Sequence, residues 1–209
     1  MKRALFMLWY ILWPLIPVYL YLRTTGTEIN QYTLSVILGV YAFVWLSNQF
    51  ILAAKPKFLV EILGTKGLLN LHSTMPIVII GLAGIHRILK ASYGFSLETI
   101  QARFGGFSWW LYACIILFTL LFMANTKLMH ISVLKNFKDF IYRKTGLTYK
   151  RARLLHNLAV LGALTLSIHM TMASSSDFSY NPWGVSFLML WMLVSLFLYA
   201  RYRLRGRTS

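Results

Sequence analysis

Six long apolar runs dominate the 209-residue chain, and no other feature restricts its fold as strongly. Crossing a bilayer as a helix takes about 20 apolar residues. Runs near 4–22, 32–54, 67–90, 107–125, 152–172 and 183–202 approach or reach that length. With 58% hydrophobic and 12% charged residues the composition is that of a membrane protein. The stretches between runs are too short for a soluble domain. The expected fold is therefore one all-α membrane domain over 1–209, built as a bundle of six transmembrane helices. The first run follows Met-Lys-Arg as a signal peptide does, but it lacks a small-x-small cleavage site and is long enough to span. It reads as a retained helix kinked at Pro14 and Pro17. The single cysteine, Cys114, falls inside the fourth run; it permits no intramolecular disulfide and is expected to be a buried structural thiol.

A formal net charge of +16 raises the question of nucleic acid, and the distribution of the charges answers it. With six spans and the amino terminus inside, 17 of the 21 basic residues fall on one side, leaving Arg23, Arg87, Lys90 and Arg103 opposite. That asymmetry is the positive-inside signal, so both termini are expected to be cytoplasmic and no nucleic-acid partner is expected. The longest connection, the amphipathic cytoplasmic loop 126–150, places Leu134, Phe137 and Ile141 at helical spacing among Lys135, Lys138 and Lys144, with Gly146 as a stop. It reads as an interfacial helix that lies on anionic lipid or presents a docking surface for an acidic protein or a flavin phosphate. Trp109, Trp110 and Trp183, near the opposite face, read as an aromatic anchoring belt.

Four of the five histidines lie within predicted spans: His72 and His86 in the third, His156 and His169 in the fifth. Ionisable groups inside a bilayer are costly and normally face a partner. The third and fifth spans run in the same direction, His86 standing about 21 Å beyond His72 and His169 about 20 Å beyond His156 at 1.5 Å per residue. Two imidazoles thus meet at each of two depths, the cytoplasmic-side pair being His72 and His156 and the outer pair His86 and His169. A zinc site asks for four ligands, and no further Cys, His, Asp or Glu accompanies either pair within the spans. A haem supplies four equatorial nitrogens and needs two axial ligands, so two stacked b-type haems with these four histidines as iron ligands fit the inventory. Gly81, Ala83 and Gly84, with Ala159, Gly162 and Ala163, are expected to leave room for a flat macrocycle. Pro76 denies the His72 carbonyl its helical bond and is expected to kink the helix. Rotation of about 100° per residue leaves His156 and His169 some 140° apart, so the fifth helix must bulge or be approached from two sides.

The spacings His72-x13-His86 and His156-x12-His169, in the third and fifth of six spans, resemble the ferric reductase-like transmembrane domain of ferric reductases and NADPH oxidases. Leu155-His156-Asn157 with Ile168-His169 also resembles the haem-binding membrane subunit of the bacterial periplasmic methionine sulfoxide reductase system. The resemblance implies electron transfer from a cytoplasmic reductant through two haems to an acceptor on the far side, in a multi-pass protein whose expected location is the bacterial inner membrane. Related oxidases continue into an FAD- and NAD(P)H-binding domain, and no dinucleotide-binding glycine fingerprint occurs in this sequence. The expected donor is a separate cytoplasmic flavin reductase or a quinol, with FMN or FAD at the cytoplasmic face or on the partner.

Arg87, Arg103, Lys66, Arg151 and Arg153 have the sign to meet haem propionates, though loop and stop-transfer charges account for most of them. His130, in the basic loop, reads as solvated. Nucleophile motifs, carboxylate dyads and P-loops are absent, which argues against a hydrolase or an NTP-driven pump. Three other readings stand beside the ferric reductase-like one: a haem subunit serving a periplasmic methionine sulfoxide reductase, a metal-ion or proton transporter using the four histidines, and a scaffold whose histidines only pack.

Overall fold

The computed structural model of the chain describes residues 1–26, 28–123, 132–146 and 149–205. Inside hydrocarbon every backbone N–H and C=O must be satisfied within the chain, which leaves helices as the solution for separate apolar runs. The described residues contain nine α-helices and no strand. The first apolar run forms α1 (Lys2–Leu12) and α2 (Leu15–Thr25), separated at Trp13 and Pro14 because proline has no N–H to continue the ladder. The second is α3 (Gln31–Ala54), whose first turn is capped by Asn30 accepting from the Thr33 N–H at 2.9 Å. It stops where Lys55 turns left-handed before Pro56. The third, α4 (Lys57–Ser92), starts ten residues before the expected boundary at 67. Its one residue with non-helical dihedral angles is Gly64, with φ 70°, which adds a break twelve residues before Pro76 inside the same helix.

The fourth span, α5 (Ile100–Phe118), also begins before its expected boundary at 107, since the Thr99 hydroxyl caps Ala102 at 3.2 Å and draws Gln101–Gly106 into the helix. It continues into a π-helical turn, Thr119–Met123. After α6 (Ser132–Thr145) the fifth span consists of α7 (Tyr149–His156) and α8 (Ala159–Thr171), and α9 (Pro182–Arg205) is the sixth. Among the described residues six helical stretches are long and apolar enough to cross a membrane. Large apolar side chains such as Ile88, Leu117, Leu190 and Phe197 are exposed on their outer faces, as an integral multi-pass membrane protein requires.

The centre of the bundle is α3, packed on α4 along one side and on α9 and α2 along another, while α5 pairs with α8. Val40, Phe43 and Val44 of α3 meet Ala163 of α8 and Leu188 and Met192 of α9 in the main apolar core. Apolar burial supplies little drive in lipid, so polar ties and small residues matter more here. Ser108 and Thr165 share a buried hydrogen bond of 2.6 Å between α5 and α8, and the Trp191 indole donates to Asn48 Oδ1 at 2.9 Å between α9 and α3. Tyr112 donates to the Ala159 carbonyl at 2.7 Å, its ring lying over Gly162, where a Cβ would come within 2.8 Å. Contacts between the α3–α4 pair and the α5–α8 pair are sparse by comparison, and this leaves room between them.

Two expectations are corrected. Cys114 is exposed, because it stands on the face of α5 turned away from the bundle, and it is not a buried thiol. Trp109 turns inward and donates to the Ile80 carbonyl at 3.1 Å, whereas Trp110 and Trp183 face outward, 61% and 76% exposed, as a belt does. The amphipathic loop contains α6 as expected, closed by Gly146 at φ 60°, and Tyr142 ties it to the π-turn by donating to the Phe122 carbonyl at 2.8 Å. Lys127, His130 and Arg207 lie outside the described residues, as do the side chains of Leu134, Phe137 and Lys150.

Candidate functional site

Between the two helix pairs the structure brings the four intramembrane histidines together two by two. The ring centres of His72 and His156 are 6.3 Å apart, and so are those of His86 and His169. Since the lower-numbered histidines of α4 and the fifth span meet each other, and the higher-numbered ones likewise, the two helices run parallel. The ring planes are nearly perpendicular, at 76° in the first pair and 82° in the second. The equal separations have a chemical meaning. A metal–imidazole bond of about 2.0–2.1 Å, with the nitrogen about 1.1 Å from the ring centre, sets two rings facing through one metal ion about 6.2–6.4 Å apart. Among the described residues no third His, Cys, Asp or Glu joins either pair. Two opposed imidazoles with no further protein ligand match a metal that brings its own equatorial nitrogens, as haem iron does.

The sequence imposes this arrangement through backbone carbonyls. His86 Nδ1 lies 2.7 Å from the Ser35 carbonyl on α3, and His169 Nδ1 lies 2.8 Å from the Gln101 carbonyl on α5. A carbonyl only accepts, so Nδ1 carries the proton in both rings and Nε2 keeps its lone pair. That is the tautomer a metal ligand needs, and such a bond raises ligand basicity. A donor reaching the carbonyl of residue i on a helix must pass over the side chain of residue i+4. In α3 that residue is Gly39, where a Cβ would sit 2.9 Å from His86 Nδ1; in α5 it is Gly105, where a Cβ would sit 2.8 Å from the His169 ring. The His86–His169 pair thus rests on one device used twice, Ser35 with Gly39 and Gln101 with Gly105.

The His72–His156 pair is held differently. His156 Nδ1 is 3.2 Å from the Thr119 hydroxyl, at the start of the π-turn. His72 Nδ1 is buried without a full hydrogen bond; the Gln49 backbone carbonyl is in its neighbourhood. Gln49 is followed four residues later by Ala53, not glycine, so the approach over the helix that is open at the His86–His169 pair carries a methyl group.

The 140° discrepancy of the fifth span is reduced by nearly half between α7 and α8. Asn157, Leu158 and Val160 donate to Leu154, Leu155 and Asn157, three residues back rather than four. Each overwound residue advances about 20° more than an α-helical one, so the three recover roughly 60° of the missing rotation. Tyr199 braces the break by donating to Asn157 Oδ1 at 3.1 Å.

A cavity containing about 1520 Å³ of space outside any atom, part of it open to the surroundings, is lined by His86 and His169 and runs along α3, α4, α5 and α8. Its walls are largely apolar, with Val40, Phe43, Ile79, Ile116 and Leu166 among them, and Arg87 and Lys90 also line it. The small residues singled out by sequence divide. Ala83 lines the cavity, Gly81 faces open space, and Gly84 and Gly162 receive the rings of Trp109 and Tyr112, not a cavity. The glycines that seat histidines, Gly39 and Gly105, were not among the expected site residues; the glycine four residues after the accepting carbonyl was their only sequence signal. Arg103, Lys66, Arg151 and Arg153 are exposed and do not line the cavity.

What the fold and the site define is a class: an all-helical, multi-pass membrane protein that holds two pairs of closely spaced imidazoles between two helix pairs. No family model, no curated protein and no solved structure matches the chain.

Proposed function

We propose that the chain is a membrane cytochrome b that carries electrons across the bilayer, with one b-type haem held by His72 and His156 and a second by His86 and His169. The observation that carries this reading is the pair of 6.3 Å ring separations, each free of a third protein ligand among the described residues. Bound haem supplies a one-electron iron couple in an apolar body suited to lipid. The chain's own part is to hold Nδ1 protonated at the His86–His169 pair, which leaves Nε2 free to ligate, and to surround that site with apolar side chains. The likeness to the ferric reductase-like transmembrane domain supports the same reading, with both termini cytoplasmic and a bacterial inner membrane as the setting. Delivery to a periplasmic methionine sulfoxide reductase is the alternative within redox chemistry. A proton or metal-ion transporter is disfavoured because Glu28, Glu61, Glu98, Asp139 and Asp177 are all exposed and none lines the cavity.

A pyridine haemochrome assay on the purified protein is expected to give about two haem b per chain, and the absorption spectrum of the intact protein is expected to be that of six-coordinate, low-spin haem. Because the paired ring planes are nearly perpendicular, the ferric protein should show strongly anisotropic low-spin EPR signals rather than rhombic ones. A colourless protein would end the proposal.

The donor reading rests on the cytoplasmic segment from Lys127 to Arg153, where eight basic residues accompany one acid, Asp139. In α6 Lys135, Arg143 and Lys144 are exposed and Lys138 half-buried, on a helix that Tyr142 fastens to the π-turn. Such a patch attracts an acidic flavoprotein or a flavin phosphate, and the attraction is screened over about 8 Å at physiological salt. In oriented proteoliposomes, NAD(P)H alone should not reduce the haems. Adding a flavin reductase on the α6 side should reduce them at a rate that falls with salt and with neutralisation of these four residues. Fast reduction by NAD(P)H alone would remove the need for a partner, and fast reduction by a quinol would move the donor into the bilayer.

A further inference from the structure

At the outer end of the cavity two cations stand without an anion. The stripe of α4 that faces the cavity is apolar at Ile79, Ile80 and Ala83, reaches His86, and then turns basic at Arg87 and Lys90. At 1.5 Å per residue Lys90 lies about 6 Å beyond His86 along the helix. Both side chains are only partly exposed, no Asp or Glu lines the cavity, and neither cation forms an ion pair among the described residues. Desolvated cations are unfavourable unless paired, so the missing partner asks for an explanation.

Their placement argues against two free snorkelling side chains. The Lys90 ammonium lies 4.1 Å from the ring centre of Tyr32 and 4.2 Å from that of Phe95, two rings stacked 5.7 Å apart. This aromatic clamp fixes the amine by its cation–π attraction while leaving N–H donors unspent. Arg87 lies against the bare backbone of α5 at Gly106, where a Cβ would meet a guanidinium nitrogen at 2.8 Å. The rim beside them offers the hydroxyls of Ser96, Thr99 and Ser175.

We propose that Arg87 and Lys90 form a carboxylate-binding site at the outer mouth of the cavity. The guanidinium fork matches the two oxygens of a carboxylate, and the ammonium one turn further on supplies a second charge-assisted bond. Two sources share this chemistry: the propionate edge of a haem held by His86 and His169, and a free polycarboxylate reaching the mouth from outside. Only the first rests on the two-haem reading. It has a further support, since the apolar cavity wall leaves a charged macrocycle edge no other cationic partner among the lining residues.

The test compares the purified full-length protein with Arg87→Gln, Lys90→Gln, the double variant and the charge-keeping Arg87→Lys. Two measurements are made: haem loss to excess apomyoglobin, and calorimetric titration with citrate. If the carboxylate belongs to haem, one of two haem-loss phases accelerates on the order of tenfold or more in the glutamine variants. The other phase stays unchanged, and Arg87→Lys stays nearer the parent. If it is free, the parent binds citrate, the double variant does not, and both haem-loss phases are unaffected. Unchanged haem loss together with no citrate binding, or with citrate binding indifferent to the substitutions, overturns the proposal. A protein without haem would refute the cytochrome reading alone, and the citrate titration would still decide for or against the site. Should the double variant fail to fold, Lys90→Gln at the rim carries both measurements by itself.

Discussion

Replacing His86 or His169 with alanine is expected to remove one haem equivalent and spare the other, while replacing His72 or His156 removes the complementary one. Each ring has one partner, 6.3 Å away, and no third ligand among the described residues stands ready to take the vacated place. In a pyridine haemochrome assay each single variant should fall from about two haems per chain to about one. The reduced-minus-oxidised spectrum should lose the same component for both members of a pair and a different component for the other pair. Loss of one common component by His72→Ala and His169→Ala, with the other intact, would show that the pairing is wrong.

The second large effect is expected at two glycines. Gly39→Ala and Gly105→Ala each introduce a methyl group 2.9 Å and 2.8 Å from the ring of His86 and His169, against side chains already tied to the Ser35 and Gln101 carbonyls. The ring cannot retreat without breaking its bond to the carbonyl. Overpacking of this kind costs about 1–3 kcal/mol, so the His86–His169 site should hold its haem roughly five- to 150-fold less tightly while the His72–His156 site is unchanged. Gly81→Ala is the control, since nothing lies within 4 Å of its Cβ position. Haem loss resolved into two phases measures both quantities. Equal behaviour of Gly105→Ala and Gly81→Ala would dismiss the seating argument.

Parts of the site were legible without coordinates, and the reasons differ from part to part. The level of each histidine followed from counting, because the rise per residue is nearly constant along a helix. Azimuth did not, because counting assumes a constant rotation, and the i→i−3 bonds of Asn157, Leu158 and Val160 overwind the fifth span between its two histidines. The small residues of the third and fifth spans were visible as a composition, yet glycine in a membrane helix serves either a ligand or a neighbouring ring. Gly84 and Gly162 turned out to serve Trp109 and Tyr112. Of Arg87 and Arg103, similar in sequence terms, only Arg87 faces the cavity.

By itself the sequence determined an all-helical chain with six apolar stretches of membrane-spanning length, and two histidines at matching intervals on the third and fifth of them. These are local properties: hydropathy accumulates residue by residue, and axial position follows from a fixed rise. The tertiary structure alone decided which surfaces those helices turn toward one another. That choice rests on contacts between residues far apart in the chain, the Ser35 carbonyl with His86, Gln101 with His169, Thr119 with His156. Each needs a donor, an acceptor and an unobstructed approach at once. Sequence names the first two, but whether the approach is open depends on which helices become neighbours, and only packing settles that.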